Sequence, residues 1–215
     1  MDLVSEEPAR QPSDRVQRRQ QRARARLIKA ASEVIADNGV QGLRLRDVTE
    51  IADVGFGSFY NHFESKEDLV EAVVIELMSS LASTLIASVA ELADPAEAGC
   101  AAHRWFVRSA TRDPQTARLI VQLDRADVLF QQMIMPYARD LIESGISSGR
   151  FNDVDVDTTL AYVVGATIAV TRGVLEGRLG PDAESASAEI LLGALGLGSE
   201  EAKAIAHRSL PHIAT

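Results

Sequence analysis

Apolar residues recur at helical spacing along most of the chain, and this periodicity limits the possible folds more than any other feature. Leu27, Ala31, Val34 and Ile35, for example, lie three or four positions apart, which places them on one face of a helix. No segment alternates apolar and polar residues for long enough to predict a strand. Pro, Gly and Asp separate the periodic segments. The sequence therefore predicts an all-α protein.

The predicted helices fall into a short N-terminal group and a longer C-terminal group. A three- to four-residue turn separates the second and third helices, which is the layout of a helix-turn-helix unit. Ser65 and Asp68 then form a capping box that begins the long fourth helix. We expect a disordered arm at 1–14, a helix-turn-helix domain at 15–64 and a larger helical domain at 65–210. The predicted helices are 15–38, 45–52, 56–62, 65–92, 95–111, 115–124, 126–148, 155–178, 182–196 and 199–208.

Positive charge is concentrated near the N-terminus, although the formal net charge of the chain is −9. An acidic body with one basic end can present that end to phosphate groups while the rest is repelled from them. The alternative is that the basic run is only a solvated tail. The segment 15–29 contains no acidic residue and these basic ones: Arg15, Arg18, Arg19, Arg22, Arg24, Arg26 and Lys29.

Composition also limits the cellular setting and the chemistry. A single cysteine, Cys100, excludes an internal disulfide and is typical of a reducing cytoplasm. The N-terminus does not resemble a secretory signal, and no stretch approaches the roughly 18 uninterrupted apolar residues of a membrane span. His103, His207 and His212 have no metal-type spacing, and no catalytic triad or phosphate loop is present. We expect a cytoplasmic protein with no catalytic residues, no metal site, no cofactor and no membrane partner.

The segment LRLRDVTEIADVGFGSFYNHFESKEDL, residues 43–69, resembles the DNA-binding domain of TetR-family transcription regulators. That family has a short helix, a tight turn and then a Gly-small-apolar-Tyr-x-His-Phe-x-x-Lys-Glu run. The resemblance covers roughly residues 22–75 and implies a homeodomain-like unit that binds double-stranded DNA. The residues that match the run in register are Gly57, Ser58, Phe59, Tyr60, His62, Phe63, Ser65, Lys66, Glu67 and Leu69.

The third helix also meets the physical requirements of a recognition helix, which must be short and held by a buried face. Phe59 and Phe63 lie four residues apart and supply that face, while the small side chains before them let the helix start approach DNA. Half-buried packing is the alternative for Tyr60 and His62. By resemblance, Tyr60, His62 and Lys66 contact phosphates, whereas Phe56, Gly57, Ser58 and Asn61 face bases.

The chain departs from the family pattern at two places. Leu43 and Arg44 stand where the family often has Thr or Ser, so a phosphate contact there would pass to Arg44 or Arg46. Asp53 stands where the family commonly has a turn glycine. Aspartate tolerates the left-handed conformation, and we expect its carboxylate to point away from DNA.

Small residues occupy every fourth position of the predicted helix 155–178. Glycine inside a helix costs up to about 1 kcal/mol relative to alanine, and close approach of a second helix would offset this cost. A twofold DNA reader needs two recognition helices about 34 Å apart, and the resemblance implies dimerisation through the last long helices. We expect a homodimer through 155–178 and 182–196, the alternative being a contact within one chain. The candidate interface residues are Ala161, Gly165, Ala169, Gly173 and Gly177.

The resemblance further implies that the middle helices enclose a pocket for an unidentified small-molecule effector. A plain core role is the alternative for each candidate, and Arg104 and Arg108 could offer charge to an anionic ligand. The sequence thus predicts a ligand-responsive repressor that binds a pseudo-palindromic operator as a dimer. The alternatives are a helical carrier or enzyme with an unused helix-turn-helix, and an interaction protein that docks through its first three helices. The candidate lining residues are Trp105, Phe106, Leu119, Phe130, Met133, Tyr137 and Tyr162.

Overall fold

The computed structural model describes residues 14–122 and 132–211. Over these residues the chain forms helices and no strands, which confirms the all-α prediction. The expected arm at 1–14 lies outside the described residues except for Asp14, and so do residues 123–131 of the predicted helices. The helices are α1 (Asp14–Gly42), α2 (Leu45–Ile51), α3 (Phe56–Phe59), α4 (Lys66–Val89), α5 (Pro95–Arg112), α6 (Pro114–Gln122), α7 (Met135–Ser147), α8 (Val156–Leu175), α9 (Ala183–Ala194) and α10 (Ser199–Ala206).

The chain divides into two compact units, Met1–Val73 and Val74–Thr215, and the division falls inside α4. In the first unit α2 packs against both α1 and α3. Only the second half of α1 is buried, because residues 15–22 are all exposed. The core of the first unit includes Leu27, Ala31, Val34, Ile35, Val48, Ala52, Phe59, Phe63 and Leu69.

Two local signals in the sequence determine where helices of the first unit break and begin. Gly39 has φ 69°, a left-handed conformation that favours glycine, and it interrupts α1 at the predicted Asn38–Gly39 stop. At the start of α4, the Ser65 hydroxyl oxygen accepts a hydrogen bond from the backbone N–H of Asp68 at 3.0 Å. The Asp68 carboxylate in turn accepts from the backbone N–H of Glu64 at 3.1 Å. These bonds satisfy N–H groups that the start of a helix otherwise leaves without partners.

The second unit is built around α5, which packs against α6, α7, α8, α9 and α10. The Asp94 carboxylate caps α5 by accepting from the backbone N–H of Ala96 at 2.9 Å, and Pro95 occupies the first turn. Arg150 donates to both carboxylate oxygens of Asp94, at 2.9 Å each. This hydrogen bonding holds the pKa of Asp94 below its usual value. The cap therefore fixes the start of α5 and ties it to the loop after α7.

Two helices, α4 and α8, are long and apolar enough to cross a membrane by length and composition, with mean hydropathies of 1.8 and 1.4. Core helices of soluble proteins meet the same criterion, so this is weak evidence for a membrane. The two helices differ in how far the chain covers them. In α4, 39% of the apolar window is buried, whereas in α8 only 22% is. The single chain therefore leaves much of the apolar surface of α8 uncovered.

Candidate functional site

The turn between α2 and α3 holds the third helix in place. The backbone N–H of Val54 donates to the carbonyl of Thr49 at 3.0 Å, and that of Asp53 donates to the carbonyl of Glu50 at 3.1 Å. Asp53 has φ 49°, so the residue adopts the left-handed conformation expected for the family's glycine position. Its side chain is 99% exposed, and its carboxylate lies 3.6 Å from the guanidinium of Arg26. This ion pair turns the negative charge of Asp53 towards α1.

Two phenylalanines anchor the segment that carries α3. Phe59 and Phe63 are buried, and their rings stack with centroids 5.6 Å apart. The guanidinium of Arg24 lies 4.9 Å from the centroid of the Phe63 ring, so α1 also covers this pair. The α-helix itself is shorter than predicted and ends at Phe59. Asn61 and His62 follow in a turn, in which the N–H of His62 donates to the carbonyl of Phe59 at 2.9 Å.

The opposite side of α3 exposes aromatic and small side chains. Phe56 is 51% exposed and Tyr60 is 54% exposed, and their rings meet edge to face at 6.1 Å. Gly57 and Ser58 between them are exposed as well. A Cβ atom added to Gly57 would meet no atom of the protein within 4 Å. The packing of the described chain therefore does not require glycine here, although close approach of another molecule would.

The first half of α1 adds positive charge and amides next to α3. The exposed arginines include Arg15, Arg18, Arg19, Arg22 and Arg26. A groove runs between α1 and the end of the α3 segment. It is lined by Gln17, Gln20, Gln21, Arg24, Asn61 and His62. Asn61 and His62, which are both predicted to bind DNA, thus lie against the basic part of α1. Their amide and imidazole groups line the same groove as the guanidinium of Arg24.

The other predicted DNA-binding residues lie at helix starts. Arg44 is the residue before α2, is exposed and makes no side-chain hydrogen bond that caps the helix. Arg46 is exposed in the first turn of α2, and Lys66 is the half-buried first residue of α4. The missing cap follows from the sequence, since arginine replaces the Ser or Thr that the family often has there.

The second unit encloses a cavity of about 100 Å³ between α4, α5, α7, α8 and α9. Of the candidate lining residues, Phe106 and Tyr137 form part of its wall. Leu119 and Met133 instead pack against the core cluster that contains Phe106. Trp105 and Tyr162 are not in the described wall: Trp105 is half-buried with the Arg112 guanidinium 5.5 Å from its ring, and Tyr162 is 55% exposed. Phe130 lies outside the described residues.

Two polar side chains in the cavity wall, His103 and Thr167, were missing from the sequence-based candidates. His103 Nδ1 lies 2.9 Å from Thr167 Oγ1, and Nε2 lies 2.7 Å from Ser187 Oγ. Burial lowers the pKa of His103 to about 4, while the negative charge of Glu184 acts in the opposite direction. The imidazole is therefore neutral near pH 7. A signal existed in the sequence, because His103 lies three positions before Phe106 on the same apolar face of α5.

Arg104 and Arg108 form a buried ion cluster with Glu184 of α9 and do not line the cavity. Arg104 donates to one Glu184 oxygen at 3.1 Å, and Arg108 Nε donates to the other at 2.6 Å. Burial is the largest single influence and opposes ionisation of Glu184, but the hydrogen bonds and positive charges of Arg108 and Arg104 together outweigh it and lower the pKa of this carboxyl. Both arginines thus neutralise a protein carboxylate, which leaves neither of them facing a ligand in the cavity.

Three of the five candidate interface residues form an exposed line on α8, which we call the outer stripe: Ala161, Gly165 and Ala169. A Cβ added to Gly165 would meet no atom within 4 Å. The other two glycines have reasons within the chain. A Cβ on Gly173 would lie 2.7 Å from Leu179, so glycine there allows an internal contact. Gly177 lies beyond the end of α8 at Leu175 and has φ 70°, so it forms the turn that ends the helix.

Two family models match this chain. Residues 27–73 match the model described as bacterial regulatory proteins of the tetR family, and residues 94–208 match the tetracyclin repressor-like C-terminal domain. A crystal structure of RolR in complex with its ligand resorcinol has a TM-score of 0.83 to this chain and 30% sequence identity. The match covers 92% of this chain and 100% of the RolR chain.

Curated relatives agree with these matches. The HTH-type transcriptional repressor KstR2 of Mycobacterium tuberculosis is 26% identical over 163 residues, which is 70% of this chain and 80% of KstR2. The HTH-type transcriptional repressor DhaR of Mycobacterium sp. (strain GP1) is 36% identical over 72 residues, which is 34% of this chain and 36% of DhaR. The match to DhaR thus spans about a third of that relative. With its helix-turn-helix, its helical second unit and both family models matched, the chain belongs to the TetR family of DNA-binding transcription regulators.

Proposed function

We propose that this protein is a cytoplasmic repressor that binds a pseudo-palindromic operator as a homodimer and responds to a small-molecule effector. The exposed side of α3 carries the proposal, because two large aromatic rings there flank an exposed glycine and an exposed serine, and a Cβ atom on that glycine would meet no described atom within 4 Å. Residues 15–64 would bind DNA, and residues 65–210 would bind the effector and the second subunit. The protein would act by binding and not by catalysis.

The DNA contacts divide into those that fix position and those that select sequence. Phosphate contacts fix the register, and contacts to base edges select the sequence. Phe56, at the exposed start of α3, suits an apolar contact with a thymine methyl group. Arginines of α1 would add phosphate contacts, each of which steepens the salt dependence of binding by roughly 0.9. We assign phosphates to Tyr60, His62, Lys66 and Arg44 or Arg46, and bases to Phe56, Gly57, Ser58 and Asn61.

The homodimer is supported by the uncovered surface of α8. The outer stripe is apolar and lacks bulk, so a second helix could approach its backbone closely. The neighbouring helix α9 also exposes an apolar side chain, Ile190, at 63%. A closed twofold dimer would cover both and would supply the second recognition helix that a palindromic site needs.

The effector role is supported by the cavity and by one relative. The cavity lies between helices of the second unit and is lined mostly by apolar residues, with polar groups on His103, Tyr137 and Thr167, which is the usual composition of a small-molecule site. RolR, 30% identical over nearly the whole chain, has resorcinol as its ligand. A ligand that favours one of two conformations would shift the affinity for DNA.

Selection of bound duplexes from genomic fragments, followed by fluorescence anisotropy, tests the DNA-binding roles. Tyr60→Ala or Lys66→Ala should weaken binding to all bound sequences about equally, whereas Ser58→Ala or Asn61→Ala should change which sequences are preferred. Lys203→Ala is the matched control for Lys66→Ala, since Lys203 is an exposed lysine in α10. If neither pair of substitutions alters affinity beyond this control, the proposal is wrong.

A further inference from the structure

The cavity wall specifies the chemistry of its occupant more closely than the family does. We infer that the cavity takes a compact, uncharged molecule of about one ring that carries a hydroxyl group, and that this hydroxyl donates a hydrogen bond to Thr167 Oγ1. The inference rests on the proposed effector role, and it adds the class of effector and the atom that recognises it.

The size and polarity of the cavity limit the occupant to a small apolar skeleton. The volume is about 100 Å³, and side chains such as Leu85, Ile86, Leu141 and Val163 form most of the wall. Apolar cavities of this order hold a single benzene-sized ring. The volume between the described wall residues therefore suits a compact ring.

The described part of the cavity wall offers no charge to balance a charged ligand. Every described residue that lines the cavity is uncharged near pH 7, including His103, whose pKa burial has lowered to about 4. The two nearby arginines, Arg104 and Arg108, both bind Glu184. A carboxylate or phosphate in the cavity would therefore lose its hydration without gaining a partner, which disfavours anions.

The hydrogen bonds of Thr167 leave one position free, and that position accepts. The Thr167 hydroxyl has one proton and two acceptors within reach, the carbonyl of Val163 at 2.7 Å and His103 Nδ1 at 2.9 Å. If the proton goes to Val163, His103 Nδ1 donates to Thr167 and Nε2 accepts from the Ser187 hydroxyl at 2.7 Å; if it goes to His103, Nε2 donates to Ser187, whose hydroxyl donates to the carbonyl of Glu184 at 3.2 Å. A hydroxyl oxygen has two acceptor lone pairs, so at least one remains on Thr167 Oγ1 in either arrangement. Only a donor group on the ligand can pair with it, and on an uncharged ring this is most simply an O–H.

The same contact reaches the helices proposed for dimerisation. His103 of α5 bridges Thr167 of α8 and Ser187 of α9. On α8, Thr167 lies between Gly165 and Ala169 in sequence but faces the cavity, while those two residues are exposed in the outer stripe. A hydroxyl bound to Thr167 therefore acts directly on the helix whose other side would contact the second subunit.

Calorimetric titration of the full chain with three probe compounds tests the inference. Phenol has the ring and the donor, anisole has the ring and an oxygen that cannot donate, and benzoate is an anion of similar size. Phenol should bind, anisole should bind about three- to tenfold more weakly, and benzoate should show no binding at the same concentrations. Thr167→Val should reduce phenol affinity to that of anisole, and Thr167→Ser should retain it.

Thr171→Val is the matched control. Thr171 is buried one turn further along α8, and its hydroxyl donates to the carbonyl of Thr167 at 2.7 Å, but it does not line the cavity. The Thr171→Val substitution should leave phenol affinity unchanged while lowering the thermal midpoint about as much as Thr167→Val does. The inference is overturned if phenol does not bind, if anisole binds as well as phenol, or if both valine variants weaken phenol binding equally. Duplex binding of the ligand-free protein, measured in parallel, separates this failure from failure of the proposed repressor function.

Discussion

His103 is a buried titratable residue of the second unit that is uncharged near pH 7. Its two nitrogens reach Thr167 and Ser187, so three helices meet at one imidazole. Cys100, one turn earlier on α5, is also buried, and burial raises the pKa of its thiol to about 11. The thiol is therefore protonated and unreactive near neutral pH, whereas the lowered pKa of His103 couples this part of the core to pH below neutrality.

The lowered pKa of His103 predicts that acid destabilises the fold. The unfolded histidine binds a proton near pH 6.5, whereas the folded one binds it near pH 4. Between these values the unfolded state holds more protons, so the free energy of unfolding falls as pH decreases, by about 3 kcal/mol over the whole window. Urea unfolding at pH 7.5, 6 and 5 should show about 2 kcal/mol of this loss, because pH 5 lies inside the window. His103→Gln should have a smaller loss over the same range, and an equal loss in both proteins would contradict the assignment.

A substitution at Gly57 should change folding stability and DNA affinity in opposite directions. Gly57→Ala adds a methyl group that would meet no described atom of the protein. Because glycine is less favourable in a helix than every residue except proline, the free energy of unfolding should rise by up to about 1 kcal/mol. The same methyl group would project from the side proposed to face bases. DNA affinity should fall by about tenfold or more, measured by anisotropy on a selected duplex. Gly180→Ala, at an exposed glycine of the second unit with equally open space, should leave DNA affinity unchanged.

At the scale of elements, α2 begins without the cap that its family pattern supplies. Arg44→Ser would place a hydroxyl where it can accept from the first N–H groups of α2, and the free energy of unfolding should rise by about 1 kcal/mol. The loss of positive charge should at the same time weaken DNA binding and reduce its salt slope by roughly 0.9. Arg44→Ala is the matched control, because it removes the charge without adding a cap. Unfolding titrations that show equal free energies of unfolding for Arg44→Ser and Arg44→Ala would refute the capping argument. Salt titrations of DNA binding measure the change in slope for both variants.

The sequence predicted the helices well because each depends on neighbouring residues. Caps such as Ser65 and stops such as Gly39 act over four or five positions, and both occur where expected. The end of α8 was misjudged, because Gly173 and Gly177 continue the four-residue spacing although the chain turns after Leu175. The carbonyl of Gly173 accepts from two N–H groups of that turn, at 2.9 and 3.1 Å.

The cavity could not be predicted in the same way, because its polar groups come together only through packing. His103 and Thr167 are 64 positions apart, and no local pattern relates them. Aromatic type was a poor guide as well. Trp105 and Tyr162 were candidates as large ring-bearing residues, but one is covered by Arg112 and the other is exposed on α8. Which side of a helix meets an internal space depends on all the helices around it, and this information is absent from the spacing of a single helix.

For the whole molecule, the distribution of charge and apolar surface fits assembly in pairs. The net charge of −9 would repel DNA, so binding must rely on the basic part of α1 and on the orientation of that part towards phosphates. In the proposed dimer, one such unit would contact one half of a palindromic site. Two units would reach both halves only if a second chain were held at a fixed distance, which requires an extended contact between copies. The described surface of α8 is the one we propose for that contact.

Gly165 and Gly173 allow the role of α8 in pairing to be measured apart from its role in folding. Gly165→Leu adds a side chain where the described chain leaves open space, so each chain should still fold cooperatively, but the added bulk should prevent a second helix from approaching the outer stripe. Sedimentation should then show a monomer, and operator affinity should drop because two half-sites are no longer bound together. Gly173→Leu instead collides with Leu179 inside the chain and should lower the thermal midpoint. If Gly165→Leu remains a dimer with unchanged DNA affinity, then α8 is not the helix through which the two chains associate.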